Sequence, residues 1–414
     1  MFKRRKTSRI VKKCQVCANK RLDKILFIGY LPPVNQMRNI GEEPNEERGY
    51  PAEMLYCPKC NLMQLGLIVD KNVLFPSEYP YTSSTTGVLR KNFAQLYDEV
   101  SKLYGLKPDD LIVDIGSNDG NLLSNFKDKC RVLGITPEDI GRIAIKRGIP
   151  TILDYFSGKI AKKVVSKYGK ARIVTATNVF AHIEDVNSVL RSIIGMLSSD
   201  GIFISESHYL LPLINTLQYD TIYHEHLRYY SLHSLRNLFK RHSLEIIHAR
   251  EIPTHGGSIR VYAARKGIYP VEPSVSQLLK KEGPIVLKKK MLLKFNDRVV
   301  QSKLDLLSLL SGIRKKGKRI CGIGAPSRAS TLINYCGLNK DLIESVFEIK
   351  GSYKIGKYMP GTLIPIVEEG DGLKDSPDYL FLFSWHIADE LILNLKKKGF
   401  KGGFIIPLPH PRIV

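Results

Sequence analysis

Two stretches constrain this chain more than any others, because each passes from an apolar run through a glycine turn into a helical pattern. The first is LIVDIGSNDGNLL (111–123) and the second is RICGIGAPSRASTLINYCG (319–337). A short apolar run closed by such a turn suits a buried parallel strand followed by a helix laid back on the sheet. After the first, RVLGI (131–135), TILDYF (151–156), ARIVTATNVFAHI (171–183) and DGIFISES (200–207) continue as strands, with IGRIAIKRG a helix among them. After the second come SVFEI (345–349), YLFLFS (379–384) and GFIIPLP (403–409). This βαβ rhythm predicts doubly wound, mostly parallel sheets, which bind ligands at the carboxyl ends of their strands. Asp114, Gly116, Asn178 and Glu206 fall at or after such ends, and so do Trp385 and His386 in the second unit.

The first turn has glycines only at Gly116 and Gly120, and it lacks the lysine of a phosphate-binding loop. An acid inside the strand, Asp114, followed by such a turn suits a nucleoside cofactor with no pyrophosphate to cradle. S-adenosylmethionine fits that description, and a dinucleotide stays open as the alternative on this motif alone. The second turn, through Gly324, Ala325 and Pro326, would offer helix N-terminal amides to a phosphate. Equally, its glycines could serve only close packing of strand on helix.

CQVC (Cys14, Cys17) and CPKC (Cys57, Cys60) precede these units. Two such knuckles close a tetrahedral four-thiolate site, and four thiolates leave no open position, so a structural zinc is expected. With no apolar segment behind the basic N-terminus, the cysteines indicate metal before disulfide and a cytoplasmic location. At 414 residues, 43% hydrophobic and 25% charged, the chain has the profile of a two- or three-domain globular protein. No apolar run approaches the ~18 residues of a membrane span. The net charge of +23 attracts polyanions. The basic residues are scattered, without a basic stripe or a known nucleic-acid module, so no nucleic-acid partner is expected.

YDTIYHEHLRYYS (219–231) concentrates titratable groups: Tyr223, His224, Glu225 and His226, then Tyr229 and Tyr230. An imidazole with a carboxylate and a phenol beside it supplies a base, an orienting charge and a proton donor. The same residues read otherwise are half of a metal site or a set of core tyrosines. LFPSEYPYTSSTT (74–86) is rich in hydroxyls and reads alone as a linker. IPTHGGSIRVYAARK (252–266) is a strand after a flexible turn, where His255, Gly256, Gly257, Ser258 and Arg260 could hold an anion or a sugar, or simply turn the chain before an edge strand. Residues 278–313 read as a long, mostly helical connector.

In this order, CxxC…CxxC, YPYTSS, DIGSNDG, NVFAHI, YHEHLRYYS, HGGSIR, GIGAPSRASTLINYCG and FSWH cover nearly the whole chain. The chain resembles the sugar C-methyltransferases that act on nucleotide-linked 4-keto-deoxyhexoses. The resemblance implies an α/β protein: a four-cysteine zinc domain (1–78), a class I, Rossmann-like methyltransferase domain (79–275), and a C-terminal Rossmann-like domain (276–414) that helps hold the sugar nucleotide. It implies S-adenosylmethionine and zinc as cofactors and a nucleotide sugar as substrate. It casts His226 as the base that takes the proton next to the ketone, with Tyr223, Glu225 and His182 beside it. Tyr79, or else Tyr81, would reach the sugar with Ser83. Gly116, Asn118, Asp119, Asn178 and Phe180 form the cofactor segment. His224 receives no role.

One position departs from the resembled pattern. The acid expected to bind the cofactor ribose at the end of the second strand is Thr136 here, with Glu138 and Asp139 as substitutes. The chemistry is coherent from its parts. A sugar C–H becomes a nucleophile only when a neighbouring ketone acidifies it, which requires a base, donors to the enolate oxygen and an aligned methyl. The expectation is therefore methyl transfer to C3 or C5 by a cytoplasmic monomer or homodimer. The competing readings are an O-, N- or RNA methyltransferase and a non-catalytic scaffold.

Overall fold

The computed structural model describes residues 7–43, 46–75, 87–137 and 139–414. Tyr79, Tyr81, Ser83 and Glu138 lie outside the described residues.

The central sheet has seven strands in the order Leu244–Ile252, Ser258–Arg265, Leu197–His208, Ala171–Thr177, Leu111–Ile115, Arg131–Thr136 and Thr151–Leu153. Only Ser258–Arg265 runs against its neighbours. It pairs with a strand on each side, so it is an interior strand and not the edge strand that the sequence left open. Every residue of Leu111–Ile115 is buried, as a strand covered by helices on both faces requires. Strand order reverses about this strand, so the Gly116 turn opens at the switch point of the sheet.

Two elements are shorter than their sequence pattern. After Gly120 the chain makes a 3₁₀ turn at Leu123–Asn125 and no α-helix. The Asn121 carbonyl there accepts from Ser124 Oγ (2.7 Å) and Asn125 Nδ2 (3.0 Å), so side chains compete for the group a helix would use. The 151–156 strand stops at Leu153, where the Asp154 carboxylate accepts the Tyr155 amide.

The C-terminal sheet runs Ile366–Glu368, Val346–Glu348, Ile320–Ile323, Tyr379–Leu382, Gly403–Ile406 and Arg412–Ile413. Its first five strands are parallel and the last is antiparallel. Its order also reverses about its first strand in sequence, Ile320–Ile323, and Gly324 follows that strand.

A four-stranded sheet joins Asp23–Leu31, Tyr50–Tyr56 and Met63–Leu65 to a fourth strand from far along the chain, Arg228–Tyr229. The end of the 219–231 stretch is thus an edge strand of the cysteine-bearing module. Side chains alternate across that strand: Tyr229 enters the core shared with the C-terminal sheet, and Tyr230 enters the core of the central sheet. The expected connector is two helices, Pro273–Val286 and Lys289–Arg314. The second is more than a link. Leu292, Phe295, Val299 and Leu306 share a core with Ile25 and Leu26 of the N-terminal sheet and with Ile320 and Leu380 of the C-terminal one. Among the described residues no helix is long and apolar enough to cross a membrane.

Candidate active site

The two cysteine knuckles are near-copies. In each, the amide four residues after the first cysteine bonds back to that cysteine's carbonyl, Ala18 to Cys14 (3.0 Å) and Asn61 to Cys57 (2.8 Å). Both of these residues take left-handed φ, 58° and 60°. The four buried Sγ atoms lie within 4.8 Å of one another, with Cys14 to Cys60 at 3.4 Å and Cys17 to Cys57 at 3.6 Å. Zinc bound to four thiolates at about 2.3 Å sets sulfurs about 3.8 Å apart, so the donor set and spacing fit a closed structural site. Among the described residues this is the one His/Cys/Asp/Glu group close enough to hold a metal, and neither His224 nor His226 belongs to it.

The carboxyl edge of the central sheet carries buried polar atoms without partners. Ser117 Oγ, Asn178 Oδ1 and Ser207 Oγ follow or end three of its strands, and none has a hydrogen-bond partner among the described residues. Gly116 and Asn178 both have positive φ, 77° and 58°. A Cβ on Gly116 would stand 2.3 Å from Val179 Cγ2, so the two loops approach as closely as a glycine permits. Unsatisfied buried groups are rare and call for a ligand or water. Asp119 is fully buried and accepts from Arg147 Nη1 at 3.2 Å. Asp114 is enclosed within the sheet, accepting from Thr175 Oγ1 at 2.6 Å, and burial raises its pKa to about 7. Thr136 is fully buried, while Asp139 is exposed and paired with Arg142.

Two side chains do not face a ligand. The Phe180 ring is core, 5.5 Å from Phe203, 6.0 Å from Tyr230 and 6.3 Å from Phe239. Arg260 is corrected from substrate ligand to buried strut. It has no exposed surface, and its guanidinium donates to Glu206, Glu99 and Asn92.

Between this edge and the C-terminal sheet the 219–231 stretch folds as a 3₁₀ turn at Tyr219–Thr221, a bend, and the Arg228–Tyr229 strand. His226 Nδ1 is 2.8 Å from the Thr221 carbonyl. A carbonyl only accepts, so Nδ1 carries the proton and Nε2 holds the free lone pair. His182 repeats the device: Nδ1 donates to the Glu225 carbonyl at 2.7 Å. The two rings are 5.0 Å apart, and Tyr223 stands 4.3 Å from His226. Burial, and for His226 the neighbouring His182, hold the pKa of His182 down to about 4 and that of His226 to about 3. Both rings are therefore neutral at pH 7.

The Glu225 carboxylate accepts from Asn35 Nδ2 at 2.6 Å. His224 faces the N-terminal sheet, with Nε2 donating to the Pro51 carbonyl at 3.1 Å and its ring against Tyr50. His208 had no place in the sequence reading. Its ring lies 5.1 Å from His226 and 5.5 Å from His255, on which it stacks. It follows Glu206 by two residues on one strand, and only the neighbouring histidines in space give it meaning. His255, Gly256 and Gly257 all have positive φ. A Cβ on Gly256 would meet Gln218 at 2.7 Å and one on Gly257 would meet Pro212 at 2.7 Å, so these glycines are needed for packing. His255 Nε2 is buried without a hydrogen-bond partner among the described residues.

On the C-terminal side, the Gly324 amide is taken by the Phe347 carbonyl (2.7 Å) and the Ala325 amide by Glu348 (2.8 Å). Pro326 has no amide, so none of the three residues offers a free N–H to a phosphate. Arg328, one residue into the helix Ser327–Cys336, was also missed. It donates to both oxygens of Asp220 (2.7 and 2.8 Å) and to His386 Nδ1 (3.0 Å). Trp385 Nε1 donates to the same Asp220 (2.8 Å).

The structure thus brings His226, Tyr223, His182 and His255 to one place, beside the glycine turn and the unsatisfied edge. Comparisons with known proteins place the three parts of the chain in known families. Residues 14–75 match a zinc binding domain family, 88–249 a methyltransferase domain family, and 253–409 a family described as the C-methyltransferase C-terminal domain. The fold and the site define an S-adenosylmethionine-dependent class I methyltransferase with a four-thiolate metal module. The chain is 33% identical to the C-methyltransferase NovU of Streptomyces niveus, over 98% of this chain and 97% of the relative. It belongs to that C-methyltransferase family. Solved structures with partial likeness include an S-adenosylmethionine-dependent methyltransferase from Clostridium acetobutylicum, at 12% identity and TM-score 0.35, covering 44% of this chain and 94% of that one. Another is the magnesium protoporphyrin IX methyltransferase of Synechocystis, at 12% identity and TM-score 0.33, covering 43% and 79%.

Proposed function

We propose that this C-methyltransferase methylates C3 or C5 of a nucleotide-linked 4-keto-deoxysugar, with His226 as the base. The carrying observation is the Nδ1–H bond of His226 to the Thr221 carbonyl, which leaves Nε2 without a hydrogen bond among the described residues, in a group of neutral imidazoles. His226 Nε2 takes the proton from the carbon beside the ketone, and the C–H pair moves into an enolate. Tyr223 and His182 are the candidates to stabilise its oxygen, with Tyr79 a third from outside the described residues. Each such donor typically contributes a few kcal/mol, about 2.7–4. The bound cofactor supplies an electrophilic methyl on sulfur. Held beside Gly116, Asn118, Asp119 and Asn178, that cofactor would offer its methyl to the enolate carbon and leave as the neutral thioether.

The residues toward the cofactor are Asn118, Asp119 and Asn178, with Gly116 giving the backbone its close approach. His255, Trp385 and His386 border the sugar-nucleotide side. The assigned division is a metal module at 1–78, a cofactor domain at 79–275 and a sugar-nucleotide domain at 276–414. A basic chain of net charge +23 suits a diphosphate substrate, and the cytoplasm suits a biosynthetic step on such a sugar.

The test is mass spectrometry of products from a panel of dTDP-, GDP- and CDP-linked 4-keto sugars given with S-adenosylmethionine. One of them should gain a single methyl. His226→Gln should lower kcat about 10³-fold, within the usual span for a lost general base, while cofactor affinity holds. Turnover at the wild-type rate in that variant would remove the base assignment.

A further inference from the structure

We propose that Asp220 and Arg328 are positioning residues through which the C-terminal domain fixes the tautomer of His226. The inference rests on His226 being the base. Asp220 is fully buried, on the Tyr219–Thr221 turn, and Arg328 is nearly so, at the head of the Ser327–Cys336 helix. Their two parallel bonds, 2.7 and 2.8 Å, form the planar fork that guanidinium and carboxylate make best. The Trp385 indole closes the remaining side of the carboxylate, and its ring lies under the guanidinium at 5.0 Å. Lysine at 328 could keep the charge and lose the fork.

The residue after Asp220 is Thr221, whose carbonyl receives the His226 Nδ1 proton at 2.8 Å. The direction of that carbonyl decides which imidazole nitrogen is protonated. Within its own stretch the turn is held by Thr221 Oγ1, which donates to Gln218 O at 2.7 Å, and by Tyr229 Oη, which donates weakly to the Thr221 carbonyl at 3.4 Å; the Asp220 fork ties it to the C-terminal domain. A second tie comes from the same C-terminal helix, Thr331 Oγ1 to the Ile222 carbonyl at 3.3 Å. The helix that begins at the ligand-binding edge of the C-terminal sheet thus grips the turn on both sides of Thr221. Freed from it, the carbonyl can rotate, and a proton on Nε2 would leave the base with its lone pair facing the wrong way.

The experiment separates proton abstraction from methyl transfer. With S-adenosylhomocysteine, which has no methyl to give, and a 4-keto nucleotide sugar in D₂O, the protein should exchange the proton beside the ketone. Asp220→Asn should slow that exchange about 10²-fold, the scale of a small misplacement of a reacting group. Calorimetric affinity for S-adenosylhomocysteine should hold. Nitrogen-15 spectra of histidine-labelled protein should show the Nδ1–H form of His226 in the wild type and its loss in the variant. Arg328→Lys is the second variant if Asp220→Asn does not fold, and it should give an intermediate loss of exchange. Wild-type exchange and an unchanged tautomer in a folded variant would overturn the proposal. Absence of exchange in the wild type would instead overturn the base assignment, and the tautomer spectra would then decide the pair alone.

Discussion

At the scale of single residues, the site is a group of imidazoles kept neutral by burial. His182 and His255 are held down to about 4, His226 and His386 to about 3, and His208 well below its ordinary value. Folded protein therefore binds fewer protons than unfolded protein between those values and about 6.5. Stability should fall as pH drops below about 6.5, with net proton uptake on unfolding. Asp114 opposes this with one group, since burial raises its pKa to about 7 and it keeps a proton that the unfolded chain releases. The histidines outnumber it, so the net direction is loss on acidification. Thermal melts from pH 7.5 to 4.5 check this, and a midpoint rising toward pH 4.5 would contradict it. The same depression moves the acid limb of kcat/KM below the ordinary histidine range, so activity should persist near pH 5.5 where the fold still holds. A limb centred near 6.5 would mean that the titrating base is not this buried ring.

At the scale of elements, the turn after Leu111–Ile115 is the tightest joint. Gly116→Ala puts a side chain at φ 77° and a methyl 2.3 Å from Val179 Cγ2. Left-handed strain of roughly 1–2 kcal/mol and overpacking of roughly 1–3 kcal/mol should together lower stability by about 2–5 kcal/mol. Adding Val179→Ala should recover the steric part and leave the backbone part, as urea unfolding would show. No loss in Gly116→Ala would mean that the two loops do not approach as described. This joint was legible in the sequence, because an apolar run, an acid and a glycine are local signals. The knuckles were legible for the same reason. What escaped was decided by contacts across the fold. Arg260 looked like a ligand because a polar residue after two glycines looks exposed, yet its strand is interior and buried carboxylates receive it. Phe180 sits in a cofactor motif, and its ring answers to Tyr230 and Phe239 instead. Asp220, Arg328 and His208 have no local signature, since their partners lie far along the chain or on separate elements.

At the scale of the whole molecule, the cysteine module is wired into the wall that carries His182 and His226. Arg228 is fully buried on the strand that follows His226. It donates to Gln15 Oε1 inside the first knuckle, to the Ile183 and Glu184 carbonyls just past His182, and to Tyr230 Oη. The Gln15 amide is in turn held by Gln64 at 2.9 Å, and Asn187 Nδ2 donates to the Gln15 and Val16 carbonyls. The knuckle, the His182 loop and the His226 strand therefore share one guanidinium. Loosening the knuckle should disturb the histidines more than the Gly116 turn, which follows another strand. Gln15→Ala separates this wiring from the metal, because position 15 is not a ligand. That variant leaves one guanidinium donor unpaired, at a cost of about 1–3 kcal/mol. It should retain one zinc per chain and wild-type affinity for S-adenosylmethionine, while kcat falls about tenfold, the equivalent of ~1.4 kcal/mol of misplacement. Stripping the metal with a chelator should produce a larger loss in the same direction, with cofactor affinity the last property to go. If Gln15→Ala turns over at the wild-type rate with its zinc in place, the module is a separate body that happens to touch the site, and the shared arginine carries no constraint from one to the other.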